Sequence, residues 1–422
     1  MRIFINELKK LWNWKLLAII AALAALTWFA LLQGGLDSFT SMTTHGIYGK
    51  YQNEMFDLYG ETLSPDELAD YDIPGKLDAV YAEGDAIIAE NPVYTKYGVY
   101  DFAGYLEYTS NRAYVKIGDL FVATMQNGEI VSDEDEQEMQ THLWGGSGAP
   151  VDDWYNSPMG KYHSLTALQH SYEDYPEYIV PFIKSDGRPV VVRVAKEMYE
   201  ANEPSLVRYD LCNSFSGYAA IAGVFAILAV LLLVAPPLTN DRARMIVLLQ
   251  YSSRIGRKIM RYQFAATLVS ALIVSLVLIT AAYVPFIAND AAKFWDAQSA
   301  MSFNAYVNGG VLCNVTFGQY VLILAAVSVA CSVAAACVAF VFARFSSNVV
   351  TLMIKAVPGG AAVAAIAALS LGRAFTPDNI IFTQVFRGRF DMPEVWTCAA
   401  LAVIGVVGAA VVVRRERRVD VA

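Results

Sequence analysis

The stretch GYAAIAGVFAILAVLLLVA, residues 217–235, decides the fold. Its nineteen residues carry no Asp, Glu, Lys or Arg, and Pro236-Pro237 follow directly. A helix rising about 1.5 Å per residue needs roughly 20 apolar residues to cross about 30 Å of hydrocarbon. Five further stretches read the same way: 16–32, 264–287, 320–342, 349–371 and 395–413. Soluble core helices seldom stay uncharged for that long. Composition agrees, with 56% hydrophobic residues, 17% charged residues and a mean hydropathy of +0.38. The expected fold class is a polytopic α-helical membrane protein with six transmembrane helices.

Charge divides the chain. Residues 34–213 hold 31 acidic against 11 basic residues, a net of −20, whereas the remainder carries +11. Lys and Arg near membrane helix ends stay on the cytoplasmic side. The basic segments are the N-terminal arm (Arg2, Lys9, Lys10, Lys15), the loop after the second span (Arg242, Arg244, Arg254, Arg257, Lys258, Arg261), Arg344 after the fourth, and the tail (Arg414, Arg415, Arg417, Arg418). They alternate correctly for six crossings with both termini cytoplasmic and residues 34–213 extracytoplasmic. One segment runs against this pattern: loop 373–394, assigned outside, contains Arg373, Arg387 and Arg389. The organisation expected is therefore 1–33 (elbow and first span), 34–213 (extracytoplasmic domain) and 214–422 (five further spans with a cytoplasmic loop, 236–262).

Ile3, Phe4, Ile5, Leu8, Leu11 and Trp12 suggest an amphipathic helix in the headgroup layer, with Trp12 and Trp14 at the interface. The run at 16–32 exceeds an ordinary signal-peptide core, so an uncleaved signal anchor is expected. Five cysteines make no disulfide scaffold. Cys331, Cys337 and Cys398 read as small packing residues within spans, while Cys212 and Cys313 fall on the outer side and are candidates for one bridge.

In 34–213, Ser64-Pro65-Asp66-Glu67 is a capping-box helix start. Leu77, Val80, Tyr81, Ile87 and Ile88 mark a second helix that Asn91-Pro92 stops, with Gly84 weakening its face. Further helices are expected over 101–124, 132–143, 161–174 and 190–201. Val190-Val191-Val192 is an alternative strand, and 128–131 an extended segment. The domain is expected to be mostly helical. It holds 18 of the 24 tyrosines, which suit either a core or a sugar- or peptide-binding surface. His163 and His170 lack a third ligand for a metal, and Asp133-Glu134-Asp135-Glu136 lacks the glycine of a calcium loop.

The segment 236–262 is the most specific. Pro236-Pro237 are expected to end the second span, and Met245, Leu248 and Leu249 to form a short amphipathic helix. Ser253 and Gly256-Arg257 then re-aim the chain into the third span. The segment resembles the ABC-2 class of ABC-transporter permeases at Asp241, Leu249, Ser252, Gly256 and Arg257. The amphipathic elbow, the count of six helices and residues 314–320 opening the fourth helix add to the resemblance. It covers about 240 residues and leaves out 34–213. Asp241 stands where Glu is commoner, Arg244 near a usually small residue, and Arg261 where Lys is frequent.

The resemblance implies a permease subunit, an exporter or immunity/resistance pump of the bacterial plasma membrane. Its 238–258 loop (Asp241, Arg244, Leu248, Leu249, Ser252, Gly256, Arg257) would dock on a separate ABC ATPase that carries the ATP and Mg. A second permease, identical or not, would complete the complex. No cofactor is expected on this chain, and no nucleic-acid partner. A basic helix with an apolar stripe is a partner-binding element, although it also suits a loop resting on anionic lipid. No Gly-x-x-x-x-Gly-Lys-Ser/Thr run and no nucleophile–base set occurs, so the chain is not expected to be an enzyme. Lys355, followed by Pro358-Gly359-Gly360, either snorkels or faces the bundle interior at a flexible break. Small residues of that helix suit a permease dimer interface. Two rivals remain: a four-helix permease of the macrolide-exporter and cell-division type, and a membrane-anchored ligand sensor. The latter would need an output domain, but the longest cytoplasmic segment has about 28 residues.

Overall fold

The computed structural model describes residues 2–45, 49–110, 113–117, 120–124, 132–145, 151–173, 175–201, 204–243, 256–289, 291–298, 302–303, 312–313, 315–372, 374 and 386–416. The elements run α1 (Arg2–Leu11), α2 (Trp14–Thr27), a π turn (Trp28–Leu32), α3 (Gln33–His45), α4 (Gly49–Tyr59), α5 (Pro65–Tyr71), α6 (Ile73–Glu90), α7 (Val93–Lys96) and α8 (Phe102–Ser110). There follow β1 (Ala113–Ile117), β2 (Leu120–Thr124), α9 (Asp133–Trp144), α10 (Val151–Asn156), α11 (Pro158–Glu173), α12 (Tyr175–Ser185) and α13 (Pro189–Ala201). The last five helices are α14 (Tyr209–Ala243), α15 (Ile259–Ala288), α16 (Phe317–Arg344), α17 (Val349–Leu371) and α18 (Pro393–Glu416). Two compact units result: a membrane unit of residues 1–40, 179–201 and 207–422, and an inserted unit of 41–178 and 202–206.

Six helices of the membrane unit are long and apolar enough to cross a bilayer: Trp14–Asp37, Leu211–Thr239, Ile259–Ala288, Phe317–Arg344, Val349–Leu371 and Pro393–Glu416. The chain is a multi-pass helical membrane protein. Burial separates the spans by role. The second and fourth are 61% and 56% buried and form the centre, whereas the first and last are 11% buried and present apolar side chains outward. Close packing at the centre comes from small residues: Ala226, Ala335, Ala336, Cys337 and Ala339 are fully buried. The Ser328, Ser332, Ser275 and Thr267 hydroxyls donate to carbonyls four residues back, so these four buried hydroxyls are satisfied within their own helices.

Pro236 and Pro237 do not end the second span, contrary to expectation. α14 runs through them to Ala243. The prolines leave the Leu232 and Leu233 carbonyls without their usual amide donors, a loss that helices packed in a membrane bundle tolerate; just beyond, the Thr239 hydroxyl donates to the Ala235 and Pro236 carbonyls. The fourth span begins at a capping box: Thr316 accepts from the Gln319 amide and Gln319 returns the bond.

The inserted unit is mainly helical. The Ser64–Glu67 capping box is formed, and α6 ends at Asn91. Gly84 lies on the buried face of α6 because the Phe102 ring occupies the space a Cβ would take, 2.3 Å away. The helix expected over 101–124 is half wrong. Only α8 forms, and β1 pairs antiparallel with β2 from Ala113–Thr124 to Ile117–Leu120. Two five-residue runs rich in aromatic and β-branched side chains, separated by Gly-Asp, favour a hairpin over a helix. The valine triplet is helical within α13. Segment 128–131 lies outside the described residues.

Tyrosines contribute strongly to the core of this unit. Tyr71, Tyr94, Tyr105, Tyr108 and Tyr172 are all 5% exposed or less. Tyr94 and Tyr105 meet edge-on at 5.8 Å, and the Tyr94 hydroxyl donates to the Met139 carbonyl at 3.0 Å. Asp135, in the acidic run, accepts from Lys96, from Tyr97 at 2.7 Å and from Ser132 at 2.7 Å, which starts α9.

Candidate functional sites at the two ends of the membrane unit

At the end of the bundle that carries α1, the elbow helix packs against α15. The Trp12 indole donates to the Ser270 hydroxyl at 2.9 Å, so Trp12 faces the bundle while Trp14 stays 72% exposed. Only Trp14 fits the interfacial role expected of both. Glu7 is buried and paired with Lys10 at 2.9 Å. These two line a small cleft with Leu11, Pro237, Leu238, Gln263 and Ala266. Gln263 in turn accepts from the buried Arg344, whose guanidinium lies 4.9 Å from the Phe340 ring. The elbow therefore touches the chain on both sides of the 238–258 loop.

Of the residues expected to couple to an ATPase, Asp241 falls in the last turns of α14. Gly256 opens a 3₁₀ turn, Gly256–Lys258, with φ of +50°, a conformation glycine adopts without strain. Arg257 is in that turn, which leads directly into α15. Arg244, Leu248, Leu249 and Ser252, and the amphipathic helix expected around them, lie outside the described residues.

Lys355 is exposed on the outside of the bundle, and its ammonium donates to the Phe345 carbonyl at the end of α16, at 2.6 Å. It caps a helix C-terminus, where a cation is favourable, and does not face the interior. Pro358, Gly359 and Gly360 form no break, since α17 is continuous through them. The glycines serve packing within the chain. A Cβ on Gly359 would lie 2.9 Å from Val338, and one on Gly360 would lie 2.5 Å from Leu231.

The far end of the bundle holds two arrangements that sequence reasoning missed. The first is aromatic. Phe215 of α14 touches Tyr283 at 4.9 Å, Phe286 at 5.1 Å and Phe317 at 5.7 Å, and Phe286 stacks on Phe39 of α3 at 4.4 Å. The Tyr218 hydroxyl donates to the Ala282 carbonyl at 2.8 Å, and Tyr320 to the Ala374 carbonyl at 3.1 Å. The sequence signal was available, because each ring lies at the same end of its span.

The second is ionic. Arg387 and Glu394 pair with both side chains 1% exposed, and Arg387 also donates to the Leu369 and Gly372 carbonyls that end α17. Arg387 is thus a buried structural cation. Asp391 pairs with Arg193 of α13 at 2.5 Å in an exposed contact, and the Gly388 carbonyl accepts from the Val190 amide at 2.8 Å. An exposed pair contributes about 0–1 kcal/mol, whereas breaking a buried one costs about 3–5 kcal/mol. Arg387–Glu394 therefore decides where the loop sits.

Cys212 and Cys313 are buried and not joined by a disulfide, and burial pushes the Cys313 thiol well above its usual pKa, with nearby Cys212 adding to the shift. His163 and His170 share α11, and the His163 ring lies 5.4 Å from Trp144 and 5.7 Å from Tyr162. Among the described residues no three His, Cys, Asp or Glu side chains are grouped to hold a metal. Comparison with protein-family models, with curated proteins and with solved structures returns no match to this chain. The identity that the helices themselves carry is that of a polytopic helical membrane protein with six candidate spans.

Proposed function

We propose that the chain is the membrane-spanning permease subunit of an ATP-driven ABC transporter, an exporter or immunity/resistance pump of a bacterial plasma membrane. ATP and Mg belong to a separate ATPase subunit, and a second permease completes the assembly. The observation that carries this reading is the elbow end. A basic segment connects the second and third spans, and the elbow helix contacts both of its flanks at Pro237–Leu238 and at Gln263–Ala266. A force applied to that segment would reach α1, α14 and α15 together.

The elbow end is then cytoplasmic and the inserted unit extracytoplasmic. Arg387, one of the three arginines that spoke against this sidedness, is neutralised inside the protein by Glu394. Six candidate spans weigh against the four-helix permease class. The test is substitution in the loop: reversing the charge of Arg257, or making Leu249 polar, should uncouple ATP turnover from transport in a reconstituted complex while leaving membrane insertion intact. Coupling that is unchanged in both variants would overturn the proposal.

A further inference from the structure

The first span is attached in an unusual way. Over most of its length it faces outward, with Leu26, Phe29 and Leu31 at 63%, 73% and 54% exposure. Its α-helical bonding is interrupted by the π turn at Trp28–Leu32, immediately before Gly34 and Gly35. A π turn carries one residue more than the α-helix accommodates, and such turns recur where helices bend in function. Gly34 has nothing within 4 Å of where its Cβ would be, so no packing contact requires glycine there.

Beyond this turn the span is fastened again at one spot. Phe39, 1% exposed, stacks on Phe286, and the Asn289 amide donates to the Thr40 hydroxyl. Behind Phe39 lie Phe215 and Tyr218, both also against Phe286. The helix carrying Phe39 then continues into the inserted unit at residue 41.

We infer that residues 33–40 are a movable leaf, hinged at the Trp28–Leu32 π turn and closed by Phe39 on Phe286, which covers the far end of the α14–α15 seam. Opening it separates the Phe39–Phe286 stack and the Asn289–Thr40 hydrogen bond, while the remainder of the aromatic cluster stays on α14, α15 and α16. On the transport reading it is the exit gate. The leaf itself needs no ATPase and can be tested without one.

The test uses the five native cysteines of the full chain in lipid nanodiscs, labelled with a membrane-impermeant maleimide and read thiol by thiol by mass spectrometry. Cys212, 3% exposed and one turn before Phe215, reports on the far end; Cys337, fully buried and towards the elbow end of α16, reports on global loosening. Phe39→Ala should raise the labelling rate of Cys212 at least tenfold and leave Cys337 unchanged, whereas Phe39→Leu, which retains most of the volume, should remain near wild type. Replacing Gly34 and Gly35 by alanine should slow Cys212 labelling in the Phe39→Ala background. Equal Cys212 rates in Phe39→Ala and wild type would overturn the inference, as would a parallel rise at Cys337.

Discussion

Arg387 and Glu394 form an ion pair in which neither side chain is more than 1% exposed, at the loop that joins the last two spans. Removing one partner leaves a buried charge without its counterpart. Arg387→Met or Glu394→Leu alone should lower unfolding free energy by about 3–5 kcal/mol, and the double variant should recover most of that loss. Thermal unfolding of the purified protein in detergent checks this, and a double variant as unstable as the sum of the singles would contradict it.

Gly84→Ala sets two effects against each other. Alanine gains about 1 kcal/mol of helix propensity over glycine. The new Cβ would meet Phe102 at 2.3 Å, and the atoms it meets are the Cβ end of that ring, which cannot swing away freely. Overpacking of this kind costs about 1–3 kcal/mol. A net loss of stability is expected, and Phe102→Leu should relieve it. Stabilisation by Gly84→Ala alone would show that α6 and α8 shift apart readily.

Asp135 gives the inserted unit an acid-sensitive contact. Lys96, Ser132 and Tyr97 hold its carboxyl well below the ordinary value of 3.8. A group lowered on folding stabilises fully above its unfolded pKa, and the contribution drains away as pH falls through the lowered folded value. Hydrogen exchange at the start of α9 should therefore accelerate on acidification below about pH 4, once the intrinsic rate is allowed for. Asp135→Asn should remove that dependence; a profile identical to wild type would rule out this carboxyl as its source.

Trp12 and Ser270 should show direct coupling. Trp12→Phe and Ser270→Ala each remove the same hydrogen bond, so the double variant should be less destabilised than the sum by about 1 kcal/mol. Strict additivity, measured by unfolding in detergent, would mean the indole donor contributes nothing to holding the elbow.

On the proposed transport function, Lys355→Met should leave transport intact and cost at most about 1 kcal/mol of stability, because the ammonium caps α16 and faces away from the bundle interior. Loss of transport with normal folding would return Lys355 to the list of working residues.

The spans were legible because length and absence of charge are local properties: 217–235 announces itself without any knowledge of its neighbours. Local chemistry also revealed the Ser64–Glu67 cap and the end of α6 at Asn91. Misreadings arose where a second element decides the outcome. Pro236-Pro237 ordinarily stop a helix, yet α14 continues past them among the helices it packs against. Residues 113–124 suit a helix or a hairpin until the two runs meet. The aromatic cluster around Phe215 depends on residues from separate spans, and no spacing rule joins Phe39 to Phe286; Arg387 and Glu394 are close in sequence, but their burial depends on the end of α17. Within the 238–258 loop the described residues are its flanks and the Gly256 turn, so the amphipathic helix expected there rests on sequence alone.

The most direct measurement is to purify this chain from its native membrane in mild detergent and identify what accompanies it. A stoichiometric protein bearing a phosphate-binding loop and the ABC signature, lost when Leu249 is made polar, is the result the account predicts. A chain that purifies without any ATPase, in a detergent that preserves other membrane complexes of the same cells, would contradict it.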